Sequence, residues 1–276
     1  MKNNIKKNIK AFFYNLVIFL LKFNFFKKTS RHLLNAYLIN KGYCFDWEYV
    51  SGKSKNNLFQ GENIFLSKLD YLNIKNCIDV GANIGHFSKE VLKNKNTNVV
   101  AFEPLPACSE PLLIMQNEYR QRFIFFKYAL SNKNDFEYIN FGDSKSPLAS
   151  LETMIDKIDY VKINNTNQIK VELKKLDNYI NDDNFKNIDF IKIDTEGHES
   201  KVIEGGINFI NKHRVKLIQI EFNWHHLFTH NTIFQFSEML KNYVPVQMNL
   251  INGKLLVVDS NNYFSNIYHL SQFVFI

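Results

Sequence analysis

From about residue 61 onward, short apolar runs alternate with stretches whose apolar residues recur at helical spacing. The pattern predicts helices over 61–72, 84–94, 106–118, 198–210 and 231–242, and strands over 76–80, 98–103, 123–128, 188–194 and 215–221. A polar stretch between them holds a hairpin around 138–150, and Gly205-Gly206 interrupts the helix over 198–210. Strand and helix in alternation imply a parallel sheet with crossover helices. Late in the chain, two strand-like runs, 244–249 and 254–259, flank Leu250-Ile251-Asn252-Gly253. Asn-Gly between two such runs is a hairpin turn, because both residues tolerate positive φ. The expected fold is therefore α/β: a mostly parallel sheet ending in an antiparallel pair, unlike that of a dinucleotide dehydrogenase.

The first 60 residues read differently, so the chain divides into a basic amphipathic helical segment (1–60) and one α/β domain (61–276). Lys2, Lys6, Lys7 and Lys10 precede an apolar run over 11–21, and Lys22, Lys27 and Lys28 follow it. That run is shorter than the roughly 20 residues a spanning helix needs, and no small-residue cleavage site follows it. Ile5, Ile9, Phe12, Phe13, Leu16, Leu20 and Phe23 share one helical face, with most of the preceding lysines off it. Such a helix packs on the domain or on a second subunit. The alternatives are a helix lying in a membrane interface and a cleaved export signal.

Composition narrows the class. The chain is 45% hydrophobic and 15% aromatic, enough for a sizeable core. Its net charge of +7 fits a lysine-solvated surface, with an acidic partner (membrane lipid, anionic glycan or nucleic acid) as the alternative. No zinc-finger spacing, RNP-like strand or long basic tract speaks for nucleic acid. Cys44, Cys77 and Cys108 form no CxxC pair and no disulfide framework, which suits a reducing compartment. The expected location is cytoplasmic, with contact to the inner face of the membrane left open.

The chemistry concentrates where the first strand ends. Gly81-Ala82-Asn83-Ile84-Gly85 follows that strand and opens a helix, but lacks the middle glycine of G-x-G-x-x-G. Gly81 allows a sharp turn and a close ligand, Gly85 a close helix start, and a helix N-terminus suits an anionic group such as a carboxylate. Glu103 ends the second strand, at the spacing of an acid that holds ribose hydroxyls. Asp79 is placed to receive an ammonium group or to hold the loop. Ribose, carboxylate and ammonium together describe S-adenosylmethionine.

Four segments carry a family resemblance: Ile78 to Gly85, Ala101-Phe102-Glu103-Pro104-Leu105-Pro106, Ala129-Leu130-Ser131, and Ile188 to Glu199 with its Lys192-Ile193-Asp194-Thr195-Glu196-Gly197-His198-Glu199 block. Together they resemble the FkbM family of S-adenosylmethionine-dependent methyltransferases over roughly residues 74–245. The resemblance implies a class I (Rossmann-like) fold, a seven-stranded mostly parallel sheet with an antiparallel C-terminal hairpin. It also implies O-methylation of a hydroxyl, often on sugars, glycolipids or polyketide-like products. On that reading Asp79, Gly81, Asn83, Gly85, Glu103, Pro104, Ala129, Leu130 and Asp194 bind the cofactor.

Acceptor chemistry belongs at the next strand ends. Methyl transfer needs alignment first, and a sugar hydroxyl benefits from a positioned base. Asp194 or Glu196 comes first for that role, with His225 or His226 and His198 as alternatives; His198, at a helix start, could also simply face solvent. Trp224-His225-His226 reads first as a surface-loop cluster. Its functional reading is an acceptor wall with Glu221, where Phe222, Trp224 and Phe228 stack on a sugar ring. Asp194, Glu221 and Asn223 could hold Mg²⁺, although no metal is expected. Two other readings remain: a non-catalytic cofactor-binding scaffold and a nicotinamide oxidoreductase.

Overall fold

A computed structural model describes residues 60–142, 149–152, 167–268 and 271–276. The amphipathic reading of residues 1–28, and Cys44, lie outside the described residues.

Five short strands with apolar residues on both faces form the centre, as expected of a sheet covered on both sides. They are β1 (Asn76–Val80), β2 (Asn98–Phe102), β3 (Phe123–Phe126), β7 (Phe190–Ile193) and β8 (Leu217–Phe222), all parallel. The remaining strands of the large sheet are β9 (Pro245–Met248), β10 (Leu255–Val257) and β11 (Ser271–Phe275). The full order is β10-β9-β11-β8-β7-β1-β2-β3. β4 (Ala129–Leu130), β5 (Asp135–Phe141) and β6 (Asn167–Lys174) form a separate small sheet in the order β4-β6-β5.

The expected Asn-Gly hairpin forms, pairing Met248 with Leu255 and leaving β10 as an eighth strand on the edge. A strand absent from the sequence expectation, β11, inserts between β8 and β9 and runs antiparallel to both. The sheet is mostly parallel with an antiparallel C-terminal end, as expected, but β11 supplies the antiparallel strand beside β8 and the Asn-Gly hairpin brings the total to eight strands where seven were expected. Of the hairpin anticipated around 138–150, the described residues show a bridge between Asn140 and Ser150, and β5 pairs along its length with β6.

Helices α1 (Gly61–Leu66), α2 (His86–Leu92) and α3 (Pro106–Tyr119) cover one face, over Cys77, Val99 and Phe190. α4 (Glu199–His213) and α6 (Ile233–Met239) cover the other, over Ile78, Val100 and Ile191; the short α5 (His226–Thr229) precedes α6. Phe190 receives Phe65 of α1 and Phe87 of α2 edge-on, with centroids 6.1 and 5.9 Å away. Such contacts contribute roughly 0.5–1.5 kcal/mol each beyond burial, and they fix both helices above the strand ends. α4 is not broken at Gly205-Gly206. A Cβ on Gly205 would lie 1.9 Å from the Ser131 carbonyl oxygen, and one on Gly206 3.0 Å from Leu176, so these glycines serve close packing.

Toward the carboxyl ends of the strands, the face under α1 and α2 turns polar. Asp79, Lys192 and Gln219 are register neighbours across β1, β7 and β8, and all three are buried. α1 is fastened above this row from the sheet edge. The Gly61 N–H donates to the Leu250 carbonyl at 2.7 Å, and a Cβ on Gly253 would meet the Gly61 carbonyl oxygen at 2.4 Å.

Candidate active site

A cavity of about 510 Å³ opens at the carboxyl ends of β1, β2, β7 and β8, the position the topology favours for a ligand in an open α/β sheet. Its size is that of a small-molecule site. One end is apolar, with Phe102, Leu105, Ala129 and Leu130; the other carries Glu62, Lys192, Asp194, Glu196 and Glu221.

The loop after β1 is built as the glycine pattern suggested. Gly81 has φ +81°, and a Cβ there would lie 1.8 Å from the Asp194 carbonyl oxygen. The Gly81 and Ala82 N–H groups donate to the Phe102 carbonyl at 3.0 and 3.1 Å. Gly81 and Asn83 line the cavity; Gly85 does not, and packs instead on Met115 and Leu112 of α3.

Glu103, placed from the 22-residue spacing, stands where expected. Its Oε2 accepts from the Asn83 N–H at 2.8 Å and its Oε1 from the Leu105 N–H at 2.9 Å. An ionised carboxylate offers about four acceptor positions, so two remain for a diol. Burial pushes its pKa up to about 7, against the pull of those two N–H groups. With the apolar slot beside it, this donor and acceptor set fits an adenosyl group.

Of the two roles open to it, Asp79 is positioned for holding the segment after the loop and not for receiving an ammonium group. It is fully buried and absent from the cavity lining; its Oδ2 accepts from the Ser88 hydroxyl at 2.6 Å, while Oδ1 has no partner. The acid reaching the cavity on that side is Glu62 of α1. Its Oε1 accepts from Gln219 Nε2 at 2.5 Å, and burial raises its pKa. Beside it, Lys192 Nζ donates to Asp194 Oδ2 at 2.7 Å. Burial alone would favour the neutral amine of Lys192, but Asp194, Asp79, Glu62 and Glu221 surround it and hold its pKa up. Neither Glu62 nor Lys192 was singled out in the sequence. A lysine inside the apolar run Ile191-Lys192-Ile193 was a readable signal; nothing in α1 marked Glu62.

The acceptor-side candidates split. Asp194, Glu196, His198 and Glu221 all line the cavity. Glu221 is hydrogen-bonded to Asp194. Burial, then the nearby Asp194 charge, push the pKa values of Glu196 and Glu221 well up. His198 does not face solvent: it is 1% exposed, with Nε2 at 2.9 Å from the Ser131 hydroxyl and Nδ1 at 3.0 Å from Glu152 Oε1. Both ring nitrogens are engaged, which leaves it a poor base.

Trp224-His225-His226 is not a surface cluster, because His225 and His226 are fully buried. His225 Nδ1 sits 2.9 Å from Glu196 Oε2 and 2.7 Å from Asn223 Oδ1, and burial pushes its pKa down to about 4. His226 Nε2 lies 3.0 Å from Glu199 Oε2. Glu199 also accepts from the Thr195 and Gly197 N–H groups, clamping the loop between β7 and α4. Burial opposes its ionisation, but His226 and these donors bring its pKa down to about 2. Glu199, like Lys192 a member of the quoted block, was given no role of its own in the sequence reading. Trp224 and His225 are not among the cavity-lining residues. Phe222 cannot stack on a sugar: it is core, against His226, Tyr268 and Phe273.

Of the oxygens considered for Mg²⁺, Asp194 Oδ2 accepts from Lys192, Glu221 Oε2 from Gln272, and Asn223 Oδ1 lies 2.7 Å from His225 Nδ1. No group of three or more metal-binding side chains converges among the described residues. Among them, too, no helix is long and apolar enough to cross a membrane.

The family described as "Methyltransferase FkbM domain" matches residues 79–244, more than half of the chain. No curated protein matches. Several solved structures are similar at low identity. The plantazolicin methyltransferase BpumL in complex with SAH aligns over 98% of both chains at 10% identity, with TM-score 0.41. The methyltransferase domain of bacterial CtHen1 covers 79% of this chain and 99% of its own, at 13% identity and TM-score 0.40. A precorrin-6y C5,15-methyltransferase from Geobacter metallireducens covers 86% and 95%, at 9% identity and TM-score 0.39.

Proposed function

The chain belongs to the FkbM methyltransferase family and is an S-adenosylmethionine-dependent methyltransferase, and from that premise we propose that it O-methylates a hydroxyl of a saccharide or glycolipid. The bound donor supplies an electrophilic methyl group; alignment and proton handling fall to the protein. Glu103 grips the ribose hydroxyls, and Phe102, Ala129 and Leu130 border the adenine. Pro104 closes the same wall.

The observation that carries the reading is the carboxyl-rich wall formed by Asp194, Glu196 and Glu221. Burial and the nearby Asp194 charge favour the protonated forms of Glu196 and Glu221, and a protonated carboxyl can both donate and accept a hydrogen bond with a polyhydroxyl acceptor. Asp194, on the cavity wall with 22% of its side chain exposed, is the group that takes the hydroxyl proton; Lys192 orients it. The basic amphipathic pattern of residues 1–28 favours an acceptor at the inner face of a membrane, with no role for nucleic acid.

Radiolabelled methyl donor incubated with the protein and cell extract tests the substrate class. Label in a glycan or glycolipid fraction, stable to mild base as a methyl ether is, supports the reading. Label in nucleic acid or protein, or released by base as from an ester, refutes it.

A further inference from the structure

The donor's amino-acid end carries a carboxylate and an ammonium group, and a receptor for it must present both signs of charge within a few ångströms. The carboxylate was expected at the helix after the glycine loop and the ammonium at Asp79. The first residues of α2, His86 and Phe87, line the cavity but bring no lysine or arginine to it, whereas Asp79 lies beneath the cavity wall with Ser88 on one oxygen.

The cavity wall nonetheless holds one lysine, Lys192, among five acidic side chains. Glu103 is committed to the ribose end. Asp194, Glu196 and Glu221 follow the strand ends toward the acceptor. Glu62 alone comes from the helix above, on the same floor as Lys192. Both are oriented by neighbours. Lys192 uses one of its three N–H donors on Asp194, and its ammonium sits 5.0 Å from the Phe87 ring centroid. Glu62 is held by Gln219, which also donates to Gln272 Oε1 at 3.0 Å; Gln272 in turn donates to Glu221 Oε2 at 3.0 Å. This amide chain sets the two glutamates without neutralising Glu62.

We propose that Lys192 and Glu62 receive the carboxylate and the ammonium group of the donor's amino-acid end, and that Asp79 is a support for Lys192 and not a ligand. The proposal rests on the donor assignment above and deepens it. The partition is a matter of depth. Asp79 is the register neighbour of Lys192 in the sheet and steadies its charge from below, while Glu62 faces it from α1.

Calorimetry on the full chain tests the assignment with two probes, S-adenosylhomocysteine and 5′-methylthioadenosine; the second lacks the amino-acid end. The ratio of their affinities reports that end alone. Each charge-assisted contact is expected to contribute about tenfold or more to the ratio. Glu62→Gln and Lys192→Met should each cut the ratio by about that factor with 5′-methylthioadenosine binding retained. Asp79→Asn should leave it within about twofold. Should Lys192→Met not fold, Glu62→Gln and Lys192→Arg carry the test, the arginine variant retaining most of the ratio. Equal loss of both probes in the Glu62 and Lys192 variants, or a ratio that falls only with Asp79→Asn, overturns the proposal. A wild-type chain that binds both probes equally also overturns it while sparing the donor assignment; one that binds neither takes both down.

Discussion

Glu103 makes the donor site pH-dependent, with a sign that follows from its surroundings. Its pKa is about 7 in the folded protein against 4.5 for the free side chain. The folded state therefore keeps the proton that the unfolded chain releases from about pH 4.5 upward. As pH rises to 7, the ligand-free protein loses stability relative to the unfolded chain, and the cost levels off above 7. With Glu103 only 5% exposed and little screened by solvent, the gap corresponds to about 3 kcal/mol. Ribose hydroxyls donate to an ionised carboxylate, so bound donor favours the charged form and binding releases a proton below pH 7. Affinity for S-adenosylhomocysteine should then fall about tenfold between pH 7.5 and pH 6, and stay flat above 7.5. Other buried acids contribute slopes of their own, so the informative quantity is the difference between wild type and Glu103→Ala. Calorimetry across pH 5.5–8.5 in buffers of different ionisation enthalpy gives both the affinity and the proton count. A wild-type curve parallel to that of Glu103→Ala would refute the role of Glu103.

Two further outcomes are expected. Asp194→Asn should leave S-adenosylhomocysteine affinity within about threefold and lower kcat by 10²–10⁴, the usual span for a lost general base; equal loss of binding and turnover would assign Asp194 to the donor alone. Gly205→Ala should destabilise the fold by about 1–3 kcal/mol or more, read from the urea midpoint, because its methyl group must displace the Ser131 backbone; an unchanged midpoint would show that the small sheet yields.

The parts of the fold visible in the sequence were those written locally. β1, β2, β7 and β8 are apolar runs of the right length, and Glu103 was found because strand–loop–helix spacing fixes where a strand-end acid falls. β11 escaped notice because Ser271–Phe275 acquires its place only through pairing with β8 and β9, far upstream in the chain. β6 was missed for the same reason: its alternation is masked by lysine and glutamate, and its partner β5 is separated from it in sequence. In the site, Glu103, Asp194 and Glu196 were identified from their motifs, whereas Lys192 and Glu199 of the same block were not, and no motif contains Glu62. Glu62 reaches the cavity because α1 is pinned across the sheet. The depth of Asp79, His198 and His226 is a property of layers that no linear pattern reports.

The clasp between Gly61 and the β9–β10 turn gives that pinning a consequence. The helix that puts an acid over the donor is moored to the far margin of the sheet, at a surface turn with no part in methyl transfer. Lengthening or stiffening that turn would slide the mooring and retune donor grip by remote adjustment, leaving every group at the reaction centre untouched.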